Sequence, residues 1–163
     1  MHRIVMKPKI VNISNKKIVG MQSVMQQHQY SNIVALWQRF MPRKRVLQST
    51  ISEELIAMQI FTILKSGLPN AEFQIWACAE VSEFNDIPKN MESYTIPKGA
   101  YAVFLQKGMD ASKTYQRIMT EWLPTSGYQI DDRPHFQVMG EKYKNGSPDS
   151  EEDFYVPIKP FKL

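Results

Sequence analysis

Two groups of residues have the types and spacing to hold a small molecule or act on one. In Phe73–Val81, strand alternation puts Gln74, Trp76, Cys78 and Glu80 on one face and Phe73, Ile75, Ala77 and Ala79 on the other. An indole and a carboxylate then share a face. Further on, Gln137, Met139, Glu141 and Tyr143 share a second parity. A carboxylate beside aromatic rings suits a flat or cationic apolar ligand, through charge pairing and cation–π attraction worth about 0.5–2 kcal/mol. Core aromatics with solvated acids give the same pattern, so spacing alone leaves both readings open.

Other chemistries lack their residues. There is no Gly-x-Ser-x-Gly, no P-loop and no His-Glu-x-x-His. His2, His28 and His135 are scattered, so no metal site and no cofactor are expected. Cys78 is the only cysteine and lies in the apolar run Ile75–Ala79, where it reads as a small buried hydrophobe. The charge of +4 and pI near 9.1 permit an anionic partner. The one dense basic cluster, Arg43–Arg45, falls at a helix end, where the helix dipole favours it. No helix-turn-helix, zinc-finger or RNA-binding signature accompanies it.

The positioning elements follow from periodicity. Lys9–Ile13 and Lys17–Val24 are strand material around a Ser14-Asn15 turn, either one bent strand or a hairpin. Ser31 or Asn32 caps a helix with Ile33, Leu36, Trp37 and Phe40 on one face, ended by Pro42. Leu55–Leu64 and Phe73–Val81 are strands separated by a turn at Ser66–Asn70, and Asn85–Pro88 is a loop. Ile96–Gln106 is a strand on which parity lets only one of Tyr101 and Phe104 face a ligand. Asp110 or Ser112 caps a second helix, with Tyr115, Ile118, Met119 and Trp122 inward, which stops at Pro124 and Gly127. Phe136–Lys144 and Phe154–Lys159 complete the strands, and Pro157 and Pro160 mark the last as an edge.

The two helices repeat the same apolar offsets, each followed by a proline, and each precedes two strands. This predicts an α+β domain over residues 1–163 with internal repeats over about 9–82 and 91–160. The duplicated β-α-β-β units would form one antiparallel sheet with both helices on one face. The other face would line a cleft at the pseudo-twofold seam. The 43% apolar and 22% charged content supports a folded core rather than disorder. No apolar run approaches the roughly 18 residues of a membrane span, and Met1–Met6 leads into lysines rather than a signal-peptide core. A cytoplasmic location is expected.

Six stretches in order resemble the GyrI-like small-molecule-binding domain, which is also the effector-binding half of AraC- and MerR-type bacterial regulators. They are Ala35–Phe40, Ala77–Val81, Ile96–Phe104, Trp122–Tyr128, Arg133–Phe136 with Gly140–Tyr143, and Phe154–Lys159. The resemblance implies a duplicated fold whose cleft binds hydrophobic, often cationic compounds between aromatic walls, with a buried glutamate from the C-terminal strand region. The Glu-x-Tyr pattern maps that glutamate onto Glu141, with Tyr143. A second register puts it at Gln137, which would favour a neutral ligand.

The related regulators carry an added DNA-binding domain. Here the first strand begins at Lys9, so a stand-alone form without direct DNA binding is expected. Some stand-alone relatives associate with DNA gyrase, and some hydrolyse toxic small molecules. The reading is thus a binding domain for sensing or sequestering toxic compounds, with ligand-facing candidates Trp37, Trp76, Glu80, Tyr101, Phe104, Gln137, Glu141 and Tyr143. Two alternatives stand beside it. One is a hydrolase using Glu141 as general base with Tyr101 or Tyr143. The other is a protein-binding modulator whose partner is a regulator or gyrase.

Overall fold

The computed structural model describes residues 7–26, 29–62, 66, 71–108, 110–144 and 146–162. His2, His28, the Met1–Met6 segment and most of the Ser66–Asn70 turn lie outside them. Among the described residues nine strands, all paired antiparallel, carry the architecture. The first half comprises β1 (Lys9–Ile13), β2 (Lys16–Gln26), α1 (Tyr30–Phe40), β3 (Leu55–Ile60) and β4 (Glu72–Val81). The second comprises β5 (Glu92–Ile96), β6 (Gly99–Lys107), α2 (Ala111–Arg117), α3 (Leu123–Ser126), β7 (Tyr128–Ile130), β8 (His135–Met139) and β9 (Glu151–Pro160).

The strand order β1-β6-β9-β8-β3-β4-β2-β5 has its seam at β3–β8, where Leu55–Gln59 pairs with His135–Met139. The outer strands are exchanged between halves: β1 pairs with β6 and β5 pairs with β2. Two residues separate β1 from β2, and two separate β5 from β6. The two ends of the strand order therefore meet at one corner, and Asn15 Oδ1 accepts the Lys98 N–H there at 2.7 Å. That closure curls the sheet. Close strand approach also demands Gly20, since a Cβ there would stand 2.1 Å from the Ala77 carbonyl oxygen.

The outer face carries the helices. Leu36 and Phe40 of α1 pack on Val19, Met21, Ile75, Ala77 and Val81. Ile118 and Trp122 pack on Ala102, Phe104, Phe154 and Val156. The inner face holds its own core of Ile18, Ile56, Met58, Trp76, Cys78, Ile96, Tyr101 and Phe136, drawn from both halves.

Four expectations are corrected. β3 ends at Ile60 rather than Leu64. β8 stops at Met139 because a turn follows, in which the Tyr143 N–H donates to the Gly140 carbonyl at 3.1 Å. The second helix runs past Pro124: a wide π turn over Ile118–Trp122 joins α2 to α3, and Pro124 sits in the first turn of α3, where no N–H is needed. Finally, β9 is an interior strand between β6 and β8. Pairing with β8 ends at Phe136↔Tyr155, so the proline without an N–H falls beyond it, and the Pro157 carbonyl accepts from the Asp131 N–H at 3.0 Å.

Candidate functional site

On the inner face, register aligns side chains from five strands. Trp76 and Cys78 of β4 lie beside Met58 and Ile56 of β3, and Glu80 follows on the same face of β4. Val138 and Phe136 continue across the seam, followed by Asp153 and Tyr155 of β9 and then Leu105 and Val103 of β6. The aromatic members form a floor. Phe136 and Tyr155 stack with centroids 4.5 Å apart, and Tyr101 meets Phe136 edge-on at 5.3 Å. Trp76 lies 5.8 Å from Tyr94 and donates from Nε1 to Gln74 Oε1 at 3.1 Å.

Above this floor lies a cavity of about 100 Å³, lined by Lys16, Ser52, Glu54, Ile56, Glu80, Val138, Asp153 and Tyr155. Its charge is lopsided, with Glu54, Glu80 and Asp153 facing one lysine. Lys16 Nζ stands 3.0 Å from Glu80 Oε1. Ser52 Oγ accepts the Glu54 N–H at 3.1 Å and so fixes the backbone where β3 begins. All three carboxylates act on one group. Burial pushes the Tyr155 phenol up, and Asp153, Glu54 and Glu80 push it further. Tyr155 therefore enters the cavity as a neutral ring. Among the described residues no three His, Cys, Asp or Glu side chains are clustered tightly enough to hold a metal ion. The three acidic groups line the cavity together with Lys16.

Tyr101 is locked beneath. Its hydroxyl donates to the Pro134 carbonyl at 3.2 Å, and the Arg133 guanidinium lies 4.6 Å from its ring. Burial pushes its phenol to about 12 despite the opposing Arg133 charge. Arg133 is held by Asp131 Oδ2 at 2.6 Å and by the Ala100 and Ile158 carbonyls. Cys78 is buried and its thiol is pushed well above the ordinary range, which leaves it a packing group.

Of the residues singled out from sequence, Trp76, Glu80 and Tyr101 share the inner face. Phe104 has the other parity and meets Trp122 edge-on at 5.2 Å in the outer core. Trp37 packs against the α1 core, 5.7 Å from Phe40. Gln137 sits at the seam but opposite Ala57 and Phe154, on the helix side. Glu141 is exposed in the turn after β8, and Tyr143 lies near Glu152. Neither position proposed for the family glutamate lines the cavity. Its carboxylates come from Glu54, Glu80 and Asp153. Lys16, Glu54, Asp153 and Tyr155 were missed. The alternation Asp153, Tyr155, Pro157 in the last strand was a signal for two of them. The polar Glu53-Glu54 pair before an apolar strand was a weaker one.

Residues 9–158 match the family described as Cass2, integron-associated effector binding protein. The transcriptional regulator BrlR of Pseudomonas aeruginosa is 28% identical over 130 residues, covering 76% of this chain and 45% of the regulator. The chain thus spans less than half the length of that relative. Among solved structures, SAV2435 bound to tetraphenylphosphonium superposes with a TM-score of 0.71 at 15% identity, covering 94% of each chain. The integron cassette protein VCH_CASS2 from Vibrio cholerae gives 0.67 at 10% identity, over 95% of this chain and 98% of its own. The C-terminal domain of EcmrR gives 0.63 at 13% identity, over 97% and 100%. These structures share the fold. Among the described residues, no helix is long and apolar enough to cross a membrane.

Proposed function

The chain belongs to the family of integron-associated effector-binding proteins, and on that premise we propose that it binds hydrophobic organic cations, in the sensing or sequestration of toxic compounds. One observation carries the reading: a cavity on the inner sheet face in which Glu54, Glu80 and Asp153 outnumber Lys16, set against Tyr155 and the aromatic floor. An apolar cation gains twice there, from burial against Ile56, Val138 and Tyr155 and from the summed negative charge of half-buried Glu80 and the more exposed Glu54 and Asp153. That SAV2435 is solved with tetraphenylphosphonium supports this chemistry as a starting probe.

The cavity of about 100 Å³ is smaller than the roughly 300–1,000 Å³ of sites for drug-sized ligands. A bulky cation therefore requires the floor to open. Tyr155 is the ring to move, because it lines the cavity and is only partly buried, whereas Tyr101 is fully buried and pinned by Arg133. Calorimetric titration with tetraphenylphosphonium and with neutral triphenylphosphine oxide tests the proposal. The cation is expected to bind, and the Glu54→Gln/Asp153→Asn double variant to weaken it by about tenfold or more while leaving the neutral compound unchanged. Equal affinity for both compounds, or no binding of the cation, would overturn it.

A further inference from the structure

The cavity already holds one cation, the side chain of Lys16. We propose that Lys16 is a tethered occupant, an internal counter-ion that a ligand must displace and that sets the affinity and charge requirement of the site. The inference rests on the cation-binding reading above. Its Nζ lies 3.0 Å from Glu80 Oε1, and each side chain is 24% exposed, so the pair is sheltered yet reachable. Among the described residues Lys16 is the one basic residue lining the cavity. Among the described residues Glu54 and Asp153 have no ion-pair partner, so the lysine satisfies one acidic group and leaves two.

The lysine is also placed to leave. Its backbone is fixed by pairing with Ile96, and its neighbour Asn15 accepts the Lys98 N–H at the corner where the sheet ends meet. The stem therefore swings from a rigid anchor at the rim of the inner face. An ammonium is compact and strongly hydrated, and its four-carbon stem can carry it out to water at little cost. An apolar cation taking its place restores a partner to Glu80 and adds buried surface. A neutral ligand displacing Lys16 would leave that carboxylate unpaired, so the pair works as a charge filter as well as a brake.

The test compares wild type, Lys16→Met and Lys16→Arg by calorimetric titration with tetraphenylphosphonium and triphenylphosphine oxide at low salt. Methionine keeps the stem and removes the charge; arginine keeps the charge. Lys16→Met is expected to bind the cation about fivefold tighter or more, the scale of a partly exposed ion pair. Lys16→Arg should stay near wild type, and the neutral compound should remain the weaker ligand in all three proteins, because only the cation gives Glu80 a partner. The inference alone is overturned if wild type binds the cation through Glu54 and Asp153 but Lys16→Met binds no tighter. It also falls if both substitutions tighten binding equally, since packing would then be the cause. No cation binding by any of the three proteins would instead remove the functional reading itself, and this inference with it.

Discussion

His135 and Glu152 are held uncharged by burial on the helix side of the sheet, and their effects on stability run in opposite directions with pH. Burial pushes the His135 imidazole down to about 4, assisted by the Arg133 charge; the ring lies edge-on to Phe61 and 3.4 Å from the Tyr115 hydroxyl. Burial pushes the Glu152 carboxyl up to about 7, beside Tyr143 and across the ladder from buried Gln106. Between about pH 6.5 and 4 the unfolded chain binds a proton at position 135 that the fold refuses, so stability falls as pH falls. Between about pH 4.5 and 7 the fold keeps a proton at Glu152 that the unfolded chain releases, so stability falls as pH rises. In wild type the two partly cancel. Glu152→Gln should therefore expose a stability that climbs with pH from 5 to 7, and His135→Phe the reverse slope, read as urea midpoints at pH 5, 6, 7 and 8. Variants whose midpoints shift by the same amount at every pH would refute this. From sequence His135 was only one of three scattered histidines, because nothing local says that β8 begins there. Strand parity did assign the facing of Trp76 and Glu80, since that depends only on alternation along one strand.

At the scale of elements, the helix after β6 shows where local rules succeed and where they mislead. Asp110 was legible as a cap, and its side chain accepts the Lys113 N–H at 3.1 Å. The stop expected at Pro124 does not occur, because proline forbids an interior helical position yet suits a first turn, and sequence does not say which applies. The π turn over Ile118–Trp122 makes it a first turn, and Gly127 ends the helix at φ 81°. Nothing lies within 4 Å of a Cβ built on Gly127, so a substitution there meets only backbone strain. Gly127→Ala is expected to cost about 1 kcal/mol in chemical denaturation, and Gly127→Asn less, because asparagine tolerates the left-handed region. An unchanged midpoint for alanine would mean that this helix end relaxes into another conformation. β9 carries the same lesson. Two prolines suggested an edge, but in the interior strand Pro157 lies where β8 has already stopped pairing, and that limit belongs to another part of the chain.

At the scale of the whole molecule, the duplication was legible and the exchange was not. The repeated apolar offsets in the two helices are local, so they survive in the sequence. That β1 pairs with β6 and β5 with β2 is a contact between halves, and the Ser14-Asn15 turn reads equally as a hairpin or a bend. The same non-locality hid most of the cavity: Lys16, Glu80 and Asp153 come from three strands and Glu54 from the residue before β3, across both halves, and only the β3–β8 seam and the curl of the sheet bring them together. This arrangement makes a strong prediction about folding. A fragment of residues 9–82 would carry β1 with no partner and leave β2 without β5, while residues 91–160 would leave β5 unpaired and β6 without β1. Each would also expose its share of the inner core, where Tyr101 and Phe136 pack with Ile18, Trp76 and Met58. Neither fragment should fold alone, as seen by circular dichroism and amide exchange. The intact chain should unfold in a single calorimetric transition whose enthalpy equals the van't Hoff value. Two resolved transitions, or one fragment with cooperative melting of its own, would show that the halves are independent and that the exchanged strands only decorate them. A single transition would instead mean that the cavity and the fold share one cooperative unit, so that a ligand wedging open the aromatic floor acts on the stability of the entire molecule.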